Sequence, residues 1–407
     1  MASIDISQDI KKSLFDKDID RKKAILLTFV AFLFTGFQCA IYGMLTVPIS
    51  QHFNIDSNTI IFFDGFGLWG QILAMATGGI LIKKFKGKNT LIVAALFMII
   101  GSILSIFAPD IYVYTAMTFI CNMAVGYVLV SCNYIVMGTV EKQGESEGKL
   151  SLLNVFFSLG FLSSAFIVGN ILFYTSWQAV FVVVMVLFII FILFLLSLRI
   201  NEKIEQGVIT KVENTSQPRF IFLSKPIILM AIALFCIVYT EQIMNYYNQP
   251  HLHFDLGFNM KDVGLLVAVY IGSQLLGRIF FGKFLLPRVR IERYLVVSGL
   301  VFAFAIFIFI YTKSFVLVLI LMAILGFSDS CIYPSVLGYA MDKLPHVSSG
   351  ATSFLVTVGA IGIPLGTSLS GMLGNLLGRE PAMLVGPVML LVLVTLVVIV
   401  HNLKVVK

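Results

Sequence analysis

The chain has 407 residues, of which 59% are apolar and only 12% charged, against roughly 25% charged in an ordinary soluble domain. With a mean hydropathy of +0.98, so much apolar surface cannot be hidden in water-soluble cores, and lipid must be the solvent for most of the chain. Disorder, collagen-like repeats and disulfide-rich secreted scaffolds are thereby excluded, and the net charge of +7 needs a topological reading before nucleic acid is invoked as a partner.

Twelve apolar segments are long enough to cross a bilayer, which takes about 20 residues each. They run over 24–50, 59–82, 90–109, 111–140, 150–174, 177–198, 226–249, 262–282, 294–312, 315–341, 350–377 and 382–402. Of the 28 Lys and Arg, 24 fall in the segments on the N-terminal side. That bias puts both termini in the cytoplasm, and it accounts for the basic balance without a nucleic-acid partner. The expected organisation is a cytoplasmic tail (1–23), a six-helix half (24–198), a cytoplasmic linker (199–225), a second six-helix half (226–402) and a cytoplasmic tail (403–407). The tail mixes Asp with Lys and Arg and lacks a signal-peptide layout. Asn214-Thr215-Ser216-Gln217-Pro218 has linker composition. The five cysteines lie singly in apolar runs and read as small packing residues.

A charge at mid-bilayer costs ~2.5–3.5 kcal/mol on insertion scales, so polar groups inside spans are the candidates for function. In the first span Gln38 and Tyr42 lie four apart near its middle. In the second, Asp64 stands near the outer end with Gln71 on the same face. It is shallow enough to reach the interface, so a proton-carrying and a structural reading both stand. Gly70, Ala74 and Gly78 recur every four residues, a surface for close helix approach. Asn122 and Asn133 in the fourth span are eleven apart and face one way. The fifth span carries Asn154 and Asn170.

The densest polar patch is in the seventh span. Glu241, Asn245 and Asn248 share a face, and Gln242, Tyr246 and Gln249 form the adjoining stripe. In lipid such a patch must face protein or a water-filled cavity, as a solute or proton site or as a network closing the outer gate. Gln274 lies near the middle of the eighth span, and Arg278 near its inner end is a clamp or a snorkel to the cytoplasm. Asp329 sits near the centre of the tenth span, with Tyr333 four residues on. Pro334 weakens the helix there and frees a backbone carbonyl. Asp329 reads as a proton carrier or as a buried carboxylate that only bonds its neighbours. The eleventh span repeats the four-residue glycine spacing at Gly362-Gly366 and Gly374-Gly378. If second and eleventh spans meet across the halves, these faces slide during rocking or simply pack.

The halves read as distant repeats: Gly126 and Gly138 recur 200 positions on as Gly326 and Gly338, and the basic loops 83–89 and 283–293 correspond. Two repeated six-helix halves is the layout of major facilitator transporters. Leu276-Gly277-Arg278-Ile279-Phe280-Phe281-Gly282, followed by Pro287-Arg288-Val289-Arg290, resembles that superfamily's signature. Its first-half copy is Gly79 followed by Lys83, Lys84, Phe85 and Lys86, with lysine where the family keeps an acid. The resemblance implies gating or structural roles for Gly79, Lys83, Lys84, Gly277, Arg278, Gly282 and Arg288. Ser330-Cys331-Ile332-Tyr333-Pro334-Ser335-Val336-Leu337-Gly338 is similar to an element of the fucose:proton symporter branch, and segment 240–278 is similar to its TsgA-type members. The branch's acidic coupling residues are missing here: Gln38, Cys39, Ala40 and Tyr42 occupy the first region, and Leu129 the second.

The expected fold is an all-α membrane protein of twelve transmembrane helices in two pseudo-symmetric halves, the major facilitator fold. The five histidines lie in or beside loops and read as solvated, so no metal site is expected. No Walker A loop, His-Glu-x-x-His or Gly-x-Ser-x-Gly is present, so neither a cofactor nor an enzyme is expected. The expected activity is secondary transport of a small hydrophilic solute, sugar-like or a related metabolite, across the inner membrane as a monomer. Glu241, Asp329 or Asp64 would carry protons. Proton-driven efflux of amphipathic compounds and a non-transporting receptor or scaffold are the alternatives.

Overall fold

The computed structural model of the chain describes residues 14–15, 17–139, 145–200, 224–285, 288–342 and 349–403. Among them regular structure is helical throughout. The helices are α1 (Asp18–Phe53), α2 (Ser57–Ile106), α3 (Ile111–Met137), α4 (Glu145–Tyr174), α5 (Trp177–Ser197), α6 (Lys225–Pro250), α7 (Met260–Phe280), α8 (Ile291–Tyr311), α9 (Phe315–Asp329), α10 (Ile332–Asp342), α11 (Ser349–Leu377) and α12 (Arg379–Asn402). α2 makes two crossings and α9 with α10 makes one, so the chain spans the bilayer twelve times. Below, "inner" is the side on which α1 begins.

Several outer turns are fixed by polar caps. The Asp56 carboxylate accepts from the Asn58 amide (2.7 Å) to open α2, Asp110 accepts from Val113 (2.8 Å) to open α3, and Asn259 accepts from Asp262 (2.9 Å) to open α7. α11 passes into α12 through Gly378 at φ 93°, a backbone region open to glycine.

Four expectations about the elements are corrected. The polar loop 83–89 is instead helical except at Lys86 (φ 67°, ψ 165°), a single kinked residue between the two crossings of α2. The seventh span runs past residue 249 into a π-helical turn, His251–Asp255, and the eighth past residue 282 through another, Phe281–Leu285. The tenth span is broken at Ser330-Cys331, just after Asp329. Pro334 has no N–H to bond the Ser330 carbonyl, and its ring crowds that turn. Finally, α1 begins at Asp18, inside the expected tail. The linker 199–225, including Asn214–Pro218, lies almost wholly outside the described residues, as do Pro287 and most of both tails.

Of the glycine stripes, Gly374 does lie against Asn58 of α2 across the halves (2.7 Å to Cγ), as expected, but the others pack within their own halves. A side chain at Gly70 would meet the Met123 amide (3.1 Å) and one at Gly78 would meet Val130 (3.2 Å), so that face of α2 grips α3 inside its own half. Gly362 and Gly366 likewise face Val238 and Tyr239 of α6. The two halves also meet elsewhere. Gly371 of α11 lies against the Phe62 backbone of α2 (2.7 Å to Cα), and Gly65 of α2 against the Pro364 carbonyl (2.9 Å). The repeat is visible in packing: Gly126 abuts the Gln71 carbonyl, and Gly326 abuts Tyr270 and Gln274.

Candidate functional site

Two neighbouring chambers lie where the halves face each other. The first, about 200 Å³, is lined by Phe157, Ser158 and Phe161 from α4, Glu241 and Asn245 from α6, Tyr270, Gln274 and Arg278 from α7, and Asp329 at the end of α9. The second, about 170 Å³, is lined by Tyr42, Gln71, Asn122, Gln242, Tyr246, Asn248 and Gln249 among others. Phe157, Phe161, Asn245 and Tyr270 belong to both. The helical periodicity of α6 explains this: residues at i, i+4 and i+7 share a face, so one polar stripe serves both chambers.

Asp329 is 1% exposed. Its Oδ2 accepts from the Tyr270 hydroxyl (2.7 Å) and from Gln274 Nε2 (2.8 Å), while its Oδ1 is buried with no hydrogen-bond partner. Glu241 is half-buried and accepts no hydrogen bond from a described residue. Arg278 continues the Tyr270–Gln274 stripe one turn toward the inner side. Its Nε donates to the Ser330 carbonyl (3.3 Å), the group freed by Pro334, and its Nη1 donates to Ser158 Oγ in the other half (3.1 Å). Gly277 lets α7 approach the broken tenth span, since a side chain there would meet the Phe327 carbonyl at 3.0 Å.

The remaining expected residues divide. Tyr42 and Asn122 line the second chamber, with Asn122 Nδ2 bonded to the Thr118 carbonyl (2.9 Å). Gln38 is fully buried behind it and donates to the Tyr42 hydroxyl (2.9 Å). Asp64 lines neither chamber. It is 5% exposed, so it does not reach the interface. Asn133 and Asn154 are exposed on the inner halves of α3 and α4, and Asn154 Nδ2 bonds the Leu150 carbonyl. The Tyr333 hydroxyl lies against Gly359 of α11. Gly79 faces open space, Lys83 and Lys84 are exposed, and Lys84 sits over the Phe85 ring (5.3 Å). Gly282 lies in the second π turn, and Arg288 donates to the Phe284 carbonyl (2.8 Å).

The outer ends of the halves are tied together by groups that the sequence reading did not select. Arg379 donates to Asp255 Oδ1 (2.6 Å), to the Pro250 carbonyl (3.1 Å) and, across the halves, to Ser57 Oγ (2.9 Å). Asn58 Nδ2 donates to the Gly374 carbonyl (3.2 Å), and Thr59 Oγ1 to Asn375 Oδ1 (3.1 Å). His251 is not solvated: it is 1% exposed and pairs through Nδ1 with Asp255 Oδ2 (2.9 Å). His253 instead meets the Phe258 carbonyl through Nδ1 (2.8 Å). No group of three metal-ligating side chains occurs among the described residues.

Comparison with known proteins agrees with this architecture. A "Protein TsgA homolog" of Buchnera aphidicola subsp. Schizaphis graminum (strain Sg) is 22% identical, over 85% of this chain and 87% of that protein. The crystal structure of the nucleoside transporter NupG superposes with a TM-score of 0.73 at 16% identity, covering 95% of this chain and all of that one. That of a D-xylose-proton symporter gives 0.71 at 15% identity, covering 95% and 98%. The family model described as Major Facilitator Superfamily matches residues 25–367. The chain belongs to the Major Facilitator Superfamily and is a membrane transporter of small solutes.

Proposed function

We infer that the chain moves a small hydrophilic solute, sugar-like or a related metabolite, across an inner membrane by alternating access coupled to protons. In this reading residues 24–198 and 226–402 are the two rocking bodies, both termini are cytoplasmic and the working unit is a monomer. The observation that carries it is the first chamber. Asp329, with one oxygen held and the other unpaired, shares that chamber with unbonded Glu241 and with Arg278, which holds both halves.

A proton on Asp329 Oδ1 would remove a buried charge and leave both Oδ2 hydrogen bonds in place. Glu241, with no hydrogen bond to surrender, is free to exchange a proton as solute arrives. The second chamber supplies recognition. Its wall includes Asn248 and Gln249, amide side chains of a kind that suits hydroxyl or amine donors of a polar solute. The names of two structurally similar proteins, a nucleoside transporter and a xylose–proton symporter, agree with a solute of that kind. The aromatic side of the same wall, Tyr42, Phe157, Phe161 and Tyr246, favours a second reading, proton-driven efflux of amphipathic compounds.

Proton release by purified protein in weak buffer, followed while pentoses, nucleosides and lipophilic cations are added, separates these readings. Wild type is expected to exchange protons with one hydrophilic ligand class, and Glu241→Gln or Asp329→Asn to bind it without proton exchange. Ligand binding with no proton change in wild type would overturn proton coupling.

A further inference from the structure

On the membrane-facing surface of the second half, two apolar grooves flank α8 and meet at its inner end. One, about 840 Å³, lies toward α7 and α9, with Leu285, Val301 and Ile324 among its walls. The other, about 390 Å³, lies toward α12, against Val397 and Val398. Arg293 and Val297 of α8 line both, and Arg290 lines the second.

Neither arginine side chain bonds or pairs with a described residue. Other bases on the inner side differ in this respect: Arg288 donates to the Phe284 carbonyl, and Lys88 of the first half to the Leu198 carbonyl. The acid beside them, Glu292, turns to His401 of α12 (3.7 Å). The first turn of α8 adds its own positive end to the two guanidinium groups. The smaller groove shares this wall only from Arg293 to Val297, about 6 Å, whereas the wall of the larger groove rises from Arg293 to Val301, about 12 Å at ~1.5 Å per residue. That approaches one leaflet's hydrocarbon depth, about 15 Å, or half of a ~30 Å core.

We propose that one anionic diacyl glycerophospholipid straddles α8, its phosphate on Arg290 and Arg293 and one acyl chain in each groove. Two unpaired cations at the inner end of paired apolar troughs match such a lipid in charge and in shape, and basic pockets between helices on this side are the usual lipid headgroup sites. The lipid would hold α8 to α9 on one side and to α12 on the other, outside the solute path.

Native mass spectrometry of the purified full chain tests this, with phosphatidylglycerol and phosphatidylcholine of matched chains as probes. Wild type is expected to retain phosphatidylglycerol roughly tenfold better. The double variant Arg290→Gln/Arg293→Gln should lose that preference. Val297→Trp, which fills both grooves at a lipid-facing position and keeps both arginines, should also lose it. Glycerol 3-phosphate should not displace the lipid. Equal retention of the two lipids by wild type, a preference surviving in the double variant or in Val297→Trp, or displacement by glycerol 3-phosphate would each overturn the proposal.

Discussion

Asp329 Oδ2 is held by two donors, whereas its Oδ1 is buried with none. A hydrogen bond to a charged group contributes about 1.5–3 kcal/mol, so Tyr270→Phe should slow transport roughly tenfold or more while leaving equilibrium solute binding intact. Initial rates set beside binding isotherms check this; equal losses in both would mean that Tyr270 serves recognition. Gln38 is a contrasting case, because it reaches only Tyr42 and its Oε1 has no partner. Gln38→Leu should shift stability by less than about 1 kcal/mol, since intramembrane polar contacts average ~0.6 kcal/mol, and thermal unfolding in detergent measures it. The α6 stripe was legible in sequence because residues four and seven apart in one helix must share a face. Tyr270 was not, because a tyrosine in a span carries no mark of what its hydroxyl meets. The burial of Asp64 was hidden for a similar reason: depth along a helix does not say which neighbours cover it.

Pro334 and the outer glycines act as elements rather than as single contacts. Pro334 leaves the Ser330 carbonyl to Arg278, so the break in the tenth span and the bridge to Ser158 are one structure. Pro334→Ala restores an N–H that competes for that carbonyl. It is expected to slow solute exchange without loss of folded protein, as read by counterflow and size-exclusion profiles. Gly371 has the Phe62 Cα at 2.7 Å and the Asn58 carbonyl at 2.8 Å from where a side chain would begin. Backbone cannot yield as a side chain can, so Gly371→Val should part α2 from α11 on the outer side. Cys39, half-buried in the second chamber wall, is a built-in reporter. A membrane-impermeant thiol reagent added outside should label it faster in Gly371→Val than in wild type, and unchanged labelling would contradict an outer closure at this contact. Small-residue spacing announced that helices approach closely, but a spacing names no partner, which is why the Gly70–Gly78 face proved to grip α3. The π turn at His251–Asp255 was equally hidden, since nothing in hydropathy distinguishes an extra buried turn from the start of a loop.

Across the whole molecule, hydropathy and the distribution of Lys and Arg were enough for the twelve crossings, because lipid permits few alternatives to helices. They could not reveal which state the molecule occupies. Here the outer ends are fastened by Arg379, Asn58 and Thr59 across the halves, while a side chain begun at Gly79 or Gly338, far from those contacts, would meet no neighbouring element within 4 Å. Both chambers lie inward of that fastening, with residues of both halves in their walls. The proposed coupling of solute movement to protons runs through carboxylates in this shared cavity. It is tested most directly in proteoliposomes, by comparing accumulation driven by a pH gradient with counterflow exchange at equal pH, using the solute identified by proton release. Wild type should do both, and Asp329→Asn or Glu241→Gln should keep counterflow while losing accumulation. Undiminished gradient-driven accumulation in both variants would contradict the account.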